Sequence, residues 1–278
     1  MIRQPAVAGM FYPSNKEILL ETIKRCFLDK KGPGEIPKIG NSNRVVGVVS
    51  PHAGYMYSGF VAAYAYREIA IDRKPETAVI IGPNHHGIGT PVAIMRKGKW
   101  KTPLGEVEID EELATEIMIN SSIIREDEVA HRAEHSIEVQ IPFLQFLYPD
   151  IKIVPICVLF QDLHSSISIG EAIGEACKDR NTVIIASSDF THYEPYNIAY
   201  QKDKEAIEKI VKMDEEAFIS KVIERNISIC GVGPIISLIR AAKIVGAKEA
   251  KLLNYQTSGD ITGDYYSVVG YAAISFRK

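Results

Sequence analysis

The chain has 278 residues, 46% hydrophobic and 24% charged, with a formal net charge of −3. Such a chain can build a core without staples, and it has no basic run for a nucleic acid and no apolar stretch of ~18 residues for a membrane span. Cys26, Cys157, Cys177 and Cys230 show no CxxC spacing and Met1–Pro5 has no signal-peptide segment, so a cytoplasmic protein with reduced thiols is expected.

In chain order, Pro5–Pro13 is apolar but broken by Pro and Gly, and reads as an ordered arm. Ser14, with Glu17 three residues on, can cap a helix to about Leu28. Lys30–Asn43 is a loop. A first strand over Arg44–Ser50, a helix over Gly59–Ile71 and a second strand over Ala78–Gly82 make a right-handed βαβ unit. Pro91–Ile109 reads as a small hairpin, and Asp110 caps a helix to about Asn120. Glu134–Leu147 reads as a helix bent or divided at Pro142. Lys152–Leu159 and Thr182–Ser187 are further strands, with a helix over Ser165–Lys178 between them. Helices follow over Asn197–Lys212, Asp214–Arg225 and Pro234–Val245. Lys251–Gln256 and Tyr265–Phe276 are closing strands. Alternating β and α predicts one α/β domain over residues 1–278 with a mostly parallel sheet.

Three of these strands share a pattern. Val45–Ser50 runs through Pro51 into His52, Ala78–Pro83 into His85 and His86, and Thr182–Ser188 into Asp189 and His192. Short unalternated apolar runs are strands buried on both faces, and ligands bind beyond the carboxyl ends of such strands. One histidine at a strand end usually caps its own loop; three with the same pattern argue for convergence. Cys230 precedes a helix start, where a thiolate is favoured. Imidazole, carboxylate and thiolate together suit a borderline metal. Glu134 and His135 either cap a helix or reach the cleft. Tyr55 and Tyr57 either wall a pocket or pack in the core. His131 and His164 stand in polar loops and are expected to be solvated, and the other three cysteines to be buried and unpaired. No G-x-S-x-G, P-loop, G-x-G-x-x-G or H-E-x-x-H is present.

The blocks Pro51-His52-Ala53-Gly54-Tyr55, Gly82-Pro83-Asn84-His85-His86, Glu134-His135-Ser136-Ile137-Glu138, Ser187-Ser188-Asp189-Phe190-Thr191-His192 and Ile229-Cys230-Gly231, in this order, resemble the signature of the MEMO (mediator of ErbB2-driven cell motility) family. Asn254-Tyr255 and Val268–Ala272 also fit. The resemblance implies a three-layer fold like that of the class III extradiol dioxygenases, which are non-haem iron enzymes. It also implies a metal site of His52, His85 and Cys230, with His192 and Asp189 beside it. In the dioxygenases a glutamate stands where this family has the cysteine, which argues against ring cleavage. The leading expectation is iron or copper, with redox or oxygenase-like chemistry on a small molecule. In it His192 is the acid/base group, oriented by Asp189, and His86, His135, Glu134 and Tyr55 surround the site. The rivals are a peptide- or anion-binding module and a zinc hydrolase.

Overall fold

The computed structural model describes residues 1–278. Its elements are β1 (Ile2–Arg3), α1 (Lys16–Leu28), β2 (Val45–Ser50), α2 (Tyr55–Asp72), β3 (Thr77–Pro83), β4 (Val92–Ile94), β5 (Lys99–Thr102), β6 (Gly105–Ile109) and α3 (Glu111–Ile119). They continue with β7 (Arg125–Glu126), α4 (Ile141–Leu147), β8 (Lys152–Val158), α5 (Leu163–Cys177), β9 (Thr182–Ser187), β10 (His192–Glu194), α6 (Tyr196–Val211), α7 (Glu215–Arg225), α8 (Val232–Val245), β11 (Glu249–Thr257), α9 (Gly259–Thr262) and β12 (Val268–Arg277).

One twelve-stranded sheet organises them, and its centre is the parallel run β6-β8-β3-β9-β2. β12 closes that run antiparallel to β2, and β11 pairs antiparallel with β12. β9 therefore lies between β2 and β3, with Ser50 opposite Ser187 and Ile81 opposite Ala186. The three strands end almost level, as the shared pattern requires. Every residue of β2, β3 and β9 is buried, because helices cover both faces. α8 lies against α5 and across β9 and β2; α2 packs on β2 and β12, with α1 behind it. The mostly parallel three-layer α/β expectation is met. No helix is long and apolar enough to cross a membrane.

Three local expectations are corrected. Asn15, not Ser14, caps α1, its Oδ1 accepting from the Ile18 N–H at 3.0 Å. Of the helix expected over Glu134–Leu147, only Ile141–Leu147 is α-helical, after a single 3₁₀ turn at Glu138–Gln140. The Glu134 carboxylate accepts the N–H groups of His135 (2.9 Å) and Ser136 (2.8 Å), side-chain bonds that compete with a helix. Pro142 is tolerated because it falls in the first turn. His131 is fully buried rather than solvated, edge-on to Trp100 at 5.7 Å; His164 is exposed as expected.

The opening arm is tied down by charge. Buried Glu138 pairs with buried Arg3 and accepts from the N–H of Ala6 (2.8 Å), the N–H of Val7 (3.1 Å) and the Tyr12 hydroxyl (2.5 Å). Breaking a buried pair of this kind from one side typically costs ~3–5 kcal/mol. The arm delivers Phe11, whose carbonyl accepts the N–H of Tyr55 at 2.8 Å, to the carboxyl edge of the sheet.

Candidate metal centre

His52 follows β2, His85 follows β3, and Asp189 follows β9. Cys230 comes from the segment entering α8. Gly231 lets that segment approach, since a Cβ there would stand 2.5 Å from Ser188 Cβ and 2.6 Å from the Ser187 carbonyl. One ring nitrogen each of His52 and His85 and the Cys230 sulfur all lie within 4.8 Å of one another. His52 Nε2 is 3.2 Å from Cys230 Sγ, and the His52 and His85 rings meet edge-on at 5.2 Å.

Hydrogen bonds fix which nitrogen faces inward. Ser187 Oγ gives its one proton to the Ser136 carbonyl (2.6 Å) and accepts from Gln140 Nε2 (2.8 Å). His52 Nδ1, 2.8 Å from the same oxygen, is therefore the donor, and Nε2 presents a lone pair to the sulfur. His85 Nδ1 donates to Glu134 Oε1 at 2.9 Å, again freeing Nε2. Burial alone would raise the Glu134 carboxyl, but its bonds from the His85 ring and the Ser136 N–H hold it well below the usual range. His192 Nδ1 donates to the Ser228 carbonyl at 2.7 Å. All three imidazoles thus carry a proton on Nδ1, which leaves Nε2 as the nitrogen free to meet a cation; burial keeps His52 neutral, so its Nε2 is bare.

Glu134 also belongs to a second ligand-like group with His85 and His135. It is a poor ligand there, because four N–H groups occupy its oxygens: His85 N, His85 Nδ1, His135 N and Ser136 N. Its effect is to orient His85.

The model of Memo-like proteins matches residues 3–275. The chain belongs to the Memo family. It is 50% identical to a MEMO1 family protein of Methanopyrus kandleri over the full length of both chains. It is 48% identical to MEMO1 family proteins of Methanothermobacter thermautotrophicus and Nitrosopumilus maritimus, over 99% of this chain and 100% of each relative. Among solved structures, an uncharacterized protein of Escherichia coli K12 superposes with a TM-score of 0.56 at 13% identity, over 83% of this chain and 99% of that one. That likeness is one of fold.

In this Memo-family chain the remaining predicted residues divide. His135 stacks on His85 (4.6 Å), meets the Phe11 ring at a tilt (4.7 Å), and lines the cleft with His52, His85, Asp189 and His192. Burial holds its pKa down at about 4. His86 is exposed, and only its backbone N–H is engaged, by Asn84 Oδ1; the geometry favours His85. Tyr55 is a core residue with its hydroxyl on the Val139 carbonyl, whereas Tyr57 lines the cleft. Asp189 does not orient His192: its Oδ1 accepts the His52 N–H at 2.8 Å and its Oδ2 is 4.0 Å from His52 Nε2. Burial raises its pKa to about 6. Burial, then the charge of Asp189, pushes the Cys230 thiol above the ordinary range despite the nearby helix start. A bound cation would reverse that balance. Cys26, Cys157 and Cys177 are buried and unpaired. Sequence reasoning missed Ser187 as a partner of His52, and Gln140 and Ser228 altogether. The Ser187-Ser188 pair at a strand end was the one available signal.

Proposed function

We propose that this Memo-family chain is a metalloprotein that holds iron or copper on His52, His85 and Cys230 and performs redox or oxygenase-like chemistry on a small molecule in the adjoining cleft. The observation that carries this reading is the convergence of two imidazoles and a thiol whose ligand atoms lie within 4.8 Å of one another, each ring anchored through Nδ1 and His52 Nε2 facing the sulfur at 3.2 Å. Two imidazoles and a thiolate suit copper, iron and zinc better than a hard cation. A bound iron or copper ion would supply a one-electron redox couple and a Lewis acid; zinc would supply only the latter. The chain's own groups then bind and move protons. His192, its Nδ1 held by the Ser228 carbonyl, has Nε2 left to exchange a proton inside the cleft. Asp189, raised to about 6, can share that task beside His52.

The peptide- or anion-binding alternative fits less well, because no lysine or arginine lines the cleft. Elemental analysis of protein purified without a His-tag tests the proposal. About one equivalent of iron or copper is expected, lost in Cys230→Ser. Stoichiometric zinc would turn the reading to a hydrolase, and metal retained at wild-type affinity in Cys230→Ser would end it.

A further inference from the structure

The cleft measures about 760 Å³, within the range of small-molecule sites. Besides histidines its lining holds four aromatic rings (Phe11, Tyr57, Tyr193 and Tyr271) and two carboxylates (Asp189 and Asp264), with no lysine or arginine. Such a wall favours a flat apolar ligand and gives an anion no lysine or arginine to pair with. The nearby backbone does not supply the missing charge: the His52 N–H is taken by Asp189, and the Tyr55 N–H at the start of α2 by the Phe11 carbonyl.

Two lining residues stand out. Tyr193 has φ 59°, the left-handed region that a bulky side chain rarely adopts. It sits where β10 slips register against β12 between His192 and Glu194, and such bulges re-aim side chains beside sites. The result is an aromatic ring 77% exposed, edge-on to His192 at 5.8 Å. No packing gain offsets that conformation, which fits a ring kept for a ligand. Asp264 is exposed, and its carboxylate accepts the Tyr266 N–H at 2.9 Å without a basic partner.

We propose that the cleft recognises a cationic aromatic ligand of the arylalkylamine class, its ring among the tyrosines and Phe11 and its ammonium group between the Tyr193 face and Asp264. A protonated amine over an aromatic face and beside a carboxylate uses both features together. The proposal deepens the reading of this cleft as the substrate site of the metal centre, and rests on it.

The test is calorimetric titration of the full chain at pH 7, metal-free and metal-loaded, with three probes of matched ring and differing charge: phenethylamine, 2-phenylethanol and phenylacetate. Phenethylamine should bind about threefold more tightly than 2-phenylethanol, and roughly tenfold more tightly than phenylacetate. Asp264→Asn should abolish the advantage of the amine over the alcohol. Tyr193→Gly should lower phenethylamine affinity about threefold while the melting temperature holds or rises, since glycine adopts the positive φ freely. Phenylacetate binding best, no probe binding, or Asp264→Asn leaving the order intact would overturn the proposal. Because the order is also read in metal-free protein, failure of the metal reading is seen separately: the amine preference persists while metal titration shows nothing.

Discussion

His52 and His85 approach the same sulfur from strands on either side of β9, and their rings are held by opposite means. His52 is 2% exposed and is pinned by a neutral relay of Ser187, Gln140 and the Ser136 carbonyl. His85 is exposed at the cleft and is pinned by the buried Glu134 carboxylate through both its ring and its backbone N–H. The buried ring needs no charged partner on Nδ1, since burial and then the neighbouring imidazoles already hold His52 neutral, well below its ordinary pKa; its carboxylate neighbour, Asp189, takes the backbone N–H instead. An imidazole facing solvent must be held against competing water, and a charge-assisted bond is about twice as strong as a neutral one. The carboxylate also makes Nε2 a stronger donor to a cation.

The comparison breaks first at the point both arms share. Cys230→Ser should weaken metal affinity by more than ~100-fold, beyond what loss of an outer partner does, measured by chelator competition. Melting of the metal-free protein should change little, because Cys230 keeps some solvent contact. Next comes the charged arm. Glu134→Gln keeps the shape, but turns an NH₂ group toward N–H donors that need an acceptor. Metal affinity should fall ~10–100-fold, with a stability loss of about 1–3 kcal/mol from the buried donors left unpaired. If affinity is retained, charge is not what holds His85.

A third effect is the pH dependence of metal uptake. The Cys230 thiol is pushed up by burial, so it carries its proton at neutral pH and must release it to bind. His52, pushed down, is already neutral and releases none. Apparent affinity should therefore rise with pH, about tenfold per unit between roughly pH 7 and 9. Calorimetry in buffers of different ionisation enthalpy should give close to one proton released at Cys230. A flat profile would remove the thiol from the ligand set.

Much of this was legible in the sequence. Unalternated runs ending in Ser-Pro-His and Gly-Pro-Asn-His specify buried parallel strands, and parallel strands in register bring their carboxyl ends together. The helix over 134–147 was misread because Glu134 has the pattern of a cap, yet its carboxylate serves His85, 49 positions away. Asp189 and His192 lie close enough in sequence to suggest a pair. The bulge at Tyr193 instead leaves His192 to Ser228, while Asp189 Oδ1 is taken by the His52 backbone N–H. Gln140 could not have been found: it reaches Ser187 only because the 3₁₀ turn packs beneath the ends of β2 and β9, and that turn has no sequence marker. His131 was misplaced because its polar neighbours hide that Arg3, from the far end of the chain, bonds its carbonyl at 3.0 Å.

The smallest effect belongs to the neutral arm. Ser187→Ala removes the acceptor of His52 Nδ1–H, the acceptor of one Gln140 N–H and the donor to the Ser136 carbonyl. With its partner gone, His52 can move its proton to Nε2, where it would point at Cys230 and oppose metal binding. Burial limits other rearrangements of the ring, so metal affinity should fall by about tenfold at most, the lower end of outer-partner effects. The two arms are also joined. Ser136 accepts from Ser187 through its carbonyl, donates its N–H to Glu134, and bonds the Pro83 carbonyl just before the His85 loop. Groups in one network couple by ~0.5–3 kcal/mol. A double-mutant cycle of Ser187→Ala with Glu134→Gln, read as metal affinity, should therefore fall short of additivity, since either change already loosens Ser136. Strict additivity would mean that His52 and His85 are held independently, and that the serine between them only fills space.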